Sequence, residues 1–356
     1  MVNVFGDSIS FRQICYEDIS DYAPDERKDF QADFSLNENP LGCSKKVLES
    51  IRNIDESEIT EYQPIDKKLV DKIAEFEGVN PENILVSAGS DKCIQLTSTA
   101  LLRKGQKIAY PKPSFPRYEF YIRRMECKKH PITLPIFGSR NIKRFQKLPD
   151  SDLLILDNPS NPMGLKFSQK ELENLVTRNN KPVILDMALT DGAYQVSNLL
   201  TENTFIVKSF SKYLGLPGLR IGYIISTEEN IRKLKSLTSP FEVTSIAQLA
   251  AKKALEDRKH LRETRKHVSR QRRKIKSGLD KLSIQYSDSK STNMVIELPL
   301  DMQEKLIQEG INLTKGIKFK GLPQNTARIG IRTQKENDLL LQKIEELVDR
   351  NNPKIL

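Results

Sequence analysis

The chain has 356 residues, of which 38% are hydrophobic and 29% are charged, a composition typical of globular proteins. No apolar run reaches the roughly 20 residues needed to span a bilayer, and the N-terminus lacks the basic start and apolar stretch of a secretory signal. Four scattered cysteines without a Cys-x-x-Cys pair, and only three histidines, predict a cytoplasmic protein with reduced thiols and no metal site.

Much of the net charge of +10 lies in one basic segment, Arg258–Lys276. Within it Leu261, Val268 and Ile275 recur at seven-residue spacing, which predicts a long helix with one apolar seam. Such a charge run is usually the solvated face of a surface helix. A nucleic-acid interface is the alternative, but the chain has no helix-turn-helix, zinc-finger or aromatic RNA-binding motif. We therefore expect no nucleic-acid partner.

The first third of the chain predicts an irregular acidic arm over residues 1–33 and then a mostly helical region. The elements expected after the arm are a loop over Phe34–Gly42, a helix starting near Ser44, a helix over Asp66–Phe76 that ends at Gly78, a strand over Ile84–Val86, a turn over Ser87–Asp91 and a helix from about Lys92 to Leu102.

The middle of the chain alternates short apolar strands with helices or loops, the pattern of a parallel sheet covered on both faces. The strands are Leu153–Leu156, Pro182–Leu185 and Thr204–Lys208, and a polar helix is expected over Ser168–Arg178. Polar residues follow each strand, namely Asn158, Asp186 and Ser209. Ligands of open α/β sheets bind at this edge, so the three residues predict a site there.

The last part of the chain predicts a different arrangement. A helical region around Lys235–Asp257 would link two domains, followed by the basic helix, strands at Asn293–Glu297 and Ala327–Ile331, and a terminal helix over Glu336–Val348. We therefore predict a large domain over residues 34–235, with a linker helix and a smaller α+β domain over residues 236–356.

The segment Ser209–Tyr223 places Lys212 beside Ser211 and a Gly/Pro-rich turn, with Arg220 eight positions later. Two hydroxyls and a guanidinium suit a phosphate, and neighbouring cations favour a neutral amine. The segment resembles the lysine segment of fold-type I pyridoxal-phosphate enzymes, in particular the class I/II aminotransferases. The resemblance implies that Lys212 carries the cofactor and that Ser209, Ser211 and Arg220 hold its phosphate. An ordinary surface lysine is the alternative.

A second phosphate contact is predicted at Gly89-Ser90-Asp91, because free N–H groups at a helix start bind anions. The turn resembles the Gly-Ser-Asp-Glu turn of the same enzymes, although many helices begin with such a cap. The resemblance also implies that Tyr62 reaches the phosphate from a partner subunit, and hence a homodimer.

Three further residues match partners of the cofactor ring. Asp186 would face the pyridine nitrogen, since a carboxylate there keeps the ring protonated. Phe115 would stack on the ring, with Tyr118 as the other candidate, and Asn161 in Asn158-Pro-Ser-Asn-Pro-Met-Gly164 matches the asparagine that contacts the 3′ oxygen. The alternatives are a turn-capping aspartate and a core aromatic residue.

The substrate side of the site is predicted at both ends of the chain. Arg328 matches the arginine that holds a substrate carboxylate, with a surface arginine on an edge strand as the alternative, and Arg332 follows it. Asn39 lies in Asn37-Glu-Asn-Pro-Leu-Gly42, which resembles the substrate-side loop of histidinol-phosphate aminotransferases.

These matches run collinearly over residues 34–337 and are most similar to the histidinol-phosphate aminotransferase group, which includes threonine-phosphate decarboxylases. The resemblance implies an α/β fold with a mostly parallel sheet flanked by helices and a smaller C-terminal α+β domain. It implies a transaminase acting on a small amino acid or amino-alcohol phosphate. Decarboxylation is the alternative, because Leu189 stands where these aminotransferases usually have a tyrosine. A degenerate binding protein is a second alternative.

Overall fold

The computed structural model describes residues 30–138, 142–146, 150–192 and 194–351. The predicted arm lies outside this part of the chain except for residues 30–33. Within the described residues, no helix combines the length and the apolar character that a membrane crossing requires.

The strands, in chain order, are β1 Ala32–Asp33, β2 Ile84–Ser87, β3 Lys107–Lys112, β4 Lys128–Thr133, β5 Leu153–Asp157, β6 Val183–Asp186, β7 Thr204–Ser209, β8 Gly222–Ile225, β9 Asn293–Glu297, β10 Ile311–Asn312, β11 Thr314–Lys315 and β12 Thr326–Gly330. The helices are α1 Lys45–Arg52, α2 Ser57–Thr60, α3 Lys67–Glu77, α4 Ser90–Leu101, α5 Pro116–Arg124, α6 Lys143–Gln146, α7 Gln169–Arg178, α8 Glu228–Lys235, α9 Ser245–Glu256, α10 Arg258–Lys281, α11 Leu300–Gln308 and α12 Gln334–Asn351.

The central sheet has seven strands in the order β2-β8-β7-β6-β5-β3-β4. Strands β3 to β7 pair in parallel, and β8 runs antiparallel to both of its neighbours. Alternate residues of one strand enter two different hydrophobic clusters, as Leu154 and Ile155 of β5 do. Both faces of the sheet are therefore buried, which confirms the parallel sheet covered by helices that the apolar strands predicted.

Local sequence signals set several helix ends. Asp66 caps α3 by accepting from the Lys68 N–H, and Gly78 ends it in the left-handed region at φ 69°. Ser168 and Glu171 form a capping box at the start of α7. In α10 the predicted apolar seam is buried, and the helix continues to Lys281, beyond the basic run.

The C-terminal part contains a three-stranded antiparallel sheet, β11-β12-β9, and buried residues of β9, β12 and α10 to α12 belong to one hydrophobic cluster. The short β1 pairs in parallel with β10, which joins the start of the described chain to this region. The helical region expected around Lys235–Asp257 is interrupted: residues 236–244 separate α8 from α9. Ser239 and Pro240 in that stretch disfavour a continuous helix. The boundaries at residues 33 and 235 stay predictions.

Candidate active site

A cavity of about 340 Å³ lies at the carboxyl ends of β5, β6 and β7, where the sequence predicted a site. Nine of the predicted site residues line it: Ser90, Asp91, Phe115, Asn161, Asp186, Ser209, Ser211, Lys212 and Arg220. They come from five separate segments of the chain, so only the fold brings them together. Glu38, in the loop before α1, also lines the cavity.

Lys212 is half-buried on the loop between β7 and β8 and faces this cavity. Its backbone carbonyl accepts from the Gly215 N–H at 3.0 Å, which closes the turn that follows. The pKa of Lys212 is lowered from 10.5 to about 8, first by burial and then by the positive charge of Arg328. A neutral amine is thus available near physiological pH, as a nucleophilic lysine requires.

Asp186 ends β6 and is buried, with 7% of its surface exposed. The Tyr118 hydroxyl donates to its Oδ2 at 2.6 Å, and the Ala188 N–H donates to its Oδ1 at 2.9 Å. Burial raises the pKa of Asp186 to about 6, although both hydrogen bonds act in the opposite direction. The residue therefore caps a turn, as the alternative proposed, and also faces the cavity. A cationic ring nitrogen beside it would stabilise its charged form.

The start of α4 and the loop after β7 meet at one end of the cavity and form a cradle there. Gly89 caps α4 at φ 92°, and a Cβ there would lie 2.9 Å from Arg220 Nη2. Gly222 is similarly constrained, because a Cβ would lie 2.7 Å from the Ser90 backbone nitrogen. The Ser211 N–H donates to Ser209 Oγ at 3.1 Å. Backbone N–H groups, hydroxyls and a guanidinium therefore converge, and these residues fit the phosphate of pyridoxal phosphate.

Asp91 lines the cavity, but its carboxylate is bonded to Arg117, a residue that the sequence did not single out. Arg117 Nε donates to Asp91 Oδ1 at 2.9 Å. The guanidinium also lies 4.2 Å from the Phe120 ring centroid and 4.8 Å from that of Tyr121. This pair ties the first turn of α4 to α5.

Two aromatic residues lie on the same side of the cavity. Phe115 precedes α5, and its ring meets that of Tyr118 edge to face, with centroids 5.7 Å apart. Tyr118 is completely buried and bonded to Asp186. Of the two candidates for the stacking residue, Tyr118 is thus already engaged by Asp186, and Phe115 lines the cavity with an entirely apolar side chain.

Arg328 lies in β12 between β11 and β9 and is 1% exposed, so the alternative of a surface arginine on an edge strand is wrong. Its Nη1 donates to Asn161 Oδ1 at 3.1 Å, and its Nη2 donates to Thr314 Oγ1 at 3.0 Å and to the Ser35 carbonyl. Its Nε is buried without a hydrogen-bond partner among the described residues. The guanidinium thus lies behind Asn161 with unused donor capacity.

Arg332 and Asn39 lie beside the cavity rather than in its lining. Arg332 Nη1 is 3.6 Å from Glu38 Oε2, and its Nε is 3.2 Å from Glu336 Oε1. The Asn39 amide donates to the Tyr213 carbonyl at 3.0 Å, which attaches the loop before α1 to the Lys212 segment.

Tyr62 is exposed to solvent. Its side chain is 87% exposed, and its ring centroid lies 5.2 Å from that of Phe241. Within the described part of the single chain, Tyr62 is not among the residues that line the cavity.

The family model for "Aminotransferase class I and II" matches residues 31–344, most of the chain. The chain belongs to this family. Its members depend on pyridoxal phosphate, so this protein is a pyridoxal-phosphate-dependent transaminase, as the motifs predicted. The alternative of a degenerate binding protein is not supported.

Individual relatives agree with this assignment. The histidinol-phosphate aminotransferase of Thermoanaerobacter sp. (strain X514) is 29% identical over 324 residues, covering 88% of this chain and 92% of the relative. A protein of Caldanaerobacter subterraneus subsp. tengcongensis with the provisional name threonine-phosphate decarboxylase is 27% identical, covering 88% and 89%. The structure of histidinol-phosphate aminotransferase from Sinorhizobium meliloti with pyridoxal-5′-phosphate has a TM-score of 0.80 at 20% identity, covering 90% and 91%. That structure confirms the expected fold.

The sequence did not indicate two residues of this aminotransferase, Arg117 and Glu38, nor the hydrogen bond between Tyr118 and Asp186. Arg117 and Tyr118 lie two and three positions after Phe115, and Glu38 is adjacent to Asn39. Charged or hydroxyl side chains next to a recognised motif were the available signal. The neighbouring sequence could not predict the partners of Arg117 and Tyr118, because Asp91 and Asp186 lie in other segments of the chain.

Proposed function

We propose that this transaminase acts on a phosphorylated amino alcohol or a related amino acid, with histidinol phosphate as the first substrate to test. The observation that carries the proposal is that Lys212, with its lowered pKa, and the buried Asp186 line the same cavity. The names of the relatives that match over most of the chain support the substrate class.

Pyridoxal phosphate, when bound, supplies an electron-accepting ring that makes the bonds at the substrate α-carbon labile. We assign its phosphate to Arg220, Ser209, Ser211 and the N–H groups of Ser90 and Asp91, which follow Gly89; the Gly89 N–H itself donates to the Ser87 carbonyl at 2.7 Å. The ring nitrogen is assigned to Asp186, one ring face to Phe115 and the 3′ oxygen to Asn161. Each assigned side chain lies in the cavity lining, and the glycine packs directly against Arg220.

Lys212 is proposed to carry the cofactor and then to move the proton at the substrate α-carbon. Its pKa of about 8 leaves a substantial neutral fraction at physiological pH, as efficient general base catalysis requires. Glu38 acts against this lowering, because its negative charge raises the pKa of Lys212.

Arg328 is proposed to hold the carboxylate of the amino donor or acceptor, with Arg332 and Asn39 organising the loop around it. Arg328 is buried, bonded to Asn161, and has a free Nε donor among the described residues. Planar bidentate pairing is the favoured geometry between a guanidinium and a carboxylate.

Decarboxylation of threonine phosphate is the second candidate. Leu189 favours it, because this apolar residue lines the cavity at the position where the resemblance to the aminotransferases implies a tyrosine. The orientation in which Arg328 binds the substrate carboxylate would then determine which bond of the α-carbon is broken.

The test uses the purified protein loaded with pyridoxal phosphate. Histidinol phosphate with a panel of 2-oxo acids should give amino transfer, measured as the amino acid formed, and Lys212→Ala should abolish it. The matched control is Lys233→Ala on the exposed face of α8, which should retain activity. Carbon dioxide released from threonine phosphate without amino transfer would establish the second candidate. Neither product, from protein that has bound the cofactor, would contradict both.

We also propose that the enzyme is a cytoplasmic homodimer in which Tyr62 reaches the partner's cofactor phosphate. Tyr62, Phe241, Ile59 and Leu237 are all at least 48% exposed, and large exposed apolar side chains are typical of interfaces. Light scattering should give twice the monomer mass. A monomer that retains full activity would contradict the role of Tyr62.

A further inference from the structure

A second cavity, of about 730 Å³, lies along α10 and is not lined by the cofactor lysine. We call it the α10 cavity. Six lysines and arginines line it: Arg265, Lys266, Arg270, Arg272, Arg273 and Lys290. Only two acidic residues, Asp191 and Glu263, line the same space. Part of the basic run that the sequence assigned to a solvated face therefore encloses a concave, strongly positive site.

Within the described part of the chain, the positive charge of this cavity is balanced only in part, by Asp191, by Glu263 and by Asp288 beside Lys290. None of its four arginines forms an ion pair there, whereas Lys290 lies 3.0 Å from Asp288. Arg265 Nε is buried and has no hydrogen-bond partner among the described residues. Buried donors normally have partners, so the guanidinium of Arg265 keeps unused donor capacity at the wall of the cavity.

Contacts with the backbone hold two of the cavity arginines, Arg265 and Arg272, in place. A Cβ at Gly192 would lie 2.8 Å from Arg265 Nη2, so this glycine allows the guanidinium to pack against the chain after β6. Arg272 Nη1 donates to the Ser291 carbonyl at 2.9 Å, and Ser291 Oγ donates to the Leu189 carbonyl at 3.1 Å. Arg265 and Arg272 are thus held against the backbone, which lowers the entropy that they lose on binding, whereas Arg270 and Arg273 are exposed.

We propose that the α10 cavity binds a compact oligophosphate, that is, a small molecule with two or more linked phosphate groups. Because basic residues outnumber acidic ones in the lining, a ligand with several negative charges is favoured. Guanidinium groups bind phosphate oxygens through two parallel hydrogen bonds, so phosphate is the favoured anion. The volume is that of a small-molecule pocket. A nucleic acid would instead require an extended positive track along the surface.

The test is calorimetric titration of inorganic triphosphate into the enzyme loaded with pyridoxal phosphate, so that the cofactor occupies its own phosphate site. The wild type should bind about one triphosphate per chain with the cofactor absorbance unchanged. The double variant Arg270→Gln, Arg273→Gln removes two cavity charges whose side chains have exposed positions on α10. Its affinity should fall at least about tenfold, since each charge-assisted contact contributes substantially.

The matched control is Lys259→Gln, Arg262→Gln, which removes two exposed charges of the same helix outside the cavity. It should weaken binding less than about twofold at moderate salt, because distant surface charges are screened. Thermal unfolding would verify that both doubles are folded. Absence of binding to the wild type, or an equal loss in both doubles, would overturn the proposal. A single-stranded oligonucleotide that binds more tightly and displaces triphosphate would replace it with a nucleic-acid interface.

Discussion

Asp186→Asn should stabilise the cofactor-free protein at neutral pH while weakening its affinity for pyridoxal phosphate. The Asp186 carboxylate is buried and accepts hydrogen bonds from Tyr118 and the Ala188 N–H, yet burial raises its pKa from 3.8 to about 6. An unfolded chain has no such burial, so ionisation costs more in the folded state. An asparagine keeps the size and the acceptor oxygen but removes the charge.

The size of the effect follows from the two pKa values. The interval from 3.8 to about 6, at 1.36 kcal/mol per pKa unit, corresponds to about 3 kcal/mol. Between these values the folded state binds more protons than the unfolded state, so the wild type loses stability as the pH rises through this window. The variant should therefore be more stable than the wild type by about 3 kcal/mol near pH 8, and the gain should vanish below about pH 4.

Urea unfolding of both cofactor-free proteins across this pH range measures the difference, and a cofactor titration gives the affinities. Adding pyridoxal phosphate should reverse the order of stability, because in the proposed placement the ring nitrogen would compensate only the ionised aspartate. Tyr118→Phe removes a hydrogen bond that favours the ionised form and should destabilise the wild type near pH 8, but have less effect in the Asp186→Asn background. A stability difference independent of pH would refute the reasoning.

Three further changes test other parts of the site and the core. Glu38→Gln removes a negative charge that raises the pKa of the active-site lysine, so the midpoint of the pH profile for cofactor uptake should move below about 8; an upward shift would contradict this. Gly89→Ala places a Cβ 2.9 Å from a guanidinium nitrogen of the phosphate cradle and should weaken cofactor binding in titrations, whereas Gly78→Ala, also at positive φ but with open space, should leave it unchanged. Lys208→Met removes one partner of a buried ion pair whose Nζ–Oε2 distance is 3.0 Å. It should lower the unfolding free energy by about 3–5 kcal/mol, and the exposed Lys233→Met should change it little; equal effects would contradict a buried-charge penalty.

The sequence by itself determined the elements whose signals are local. Continuous apolar runs set the parallel strands, and a left-handed glycine or a capping box set the ends of α3 and α7. The segment around Lys212 could be recognised for the same reason, since a serine-rich turn after a strand requires only neighbouring residues. These features depend on backbone preferences over a few positions, and the collinear order of the motifs then identified the family.

The tertiary structure alone decided which distant side chains meet. The Tyr118 hydroxyl bonds to Asp186 across 68 positions of sequence, and Arg328 bonds to Asn161 across 167. The sequence could suggest Arg328 as a carboxylate ligand but not that it is buried behind Asn161. It correctly indicated a solvated face for the basic run of α10, where Lys266, Arg270 and Arg273 are exposed, but not that part of this face lines a cavity with Lys290. Such contacts arise from how helices pack on the sheet, and packing depends on the whole set of buried surfaces rather than on any one segment.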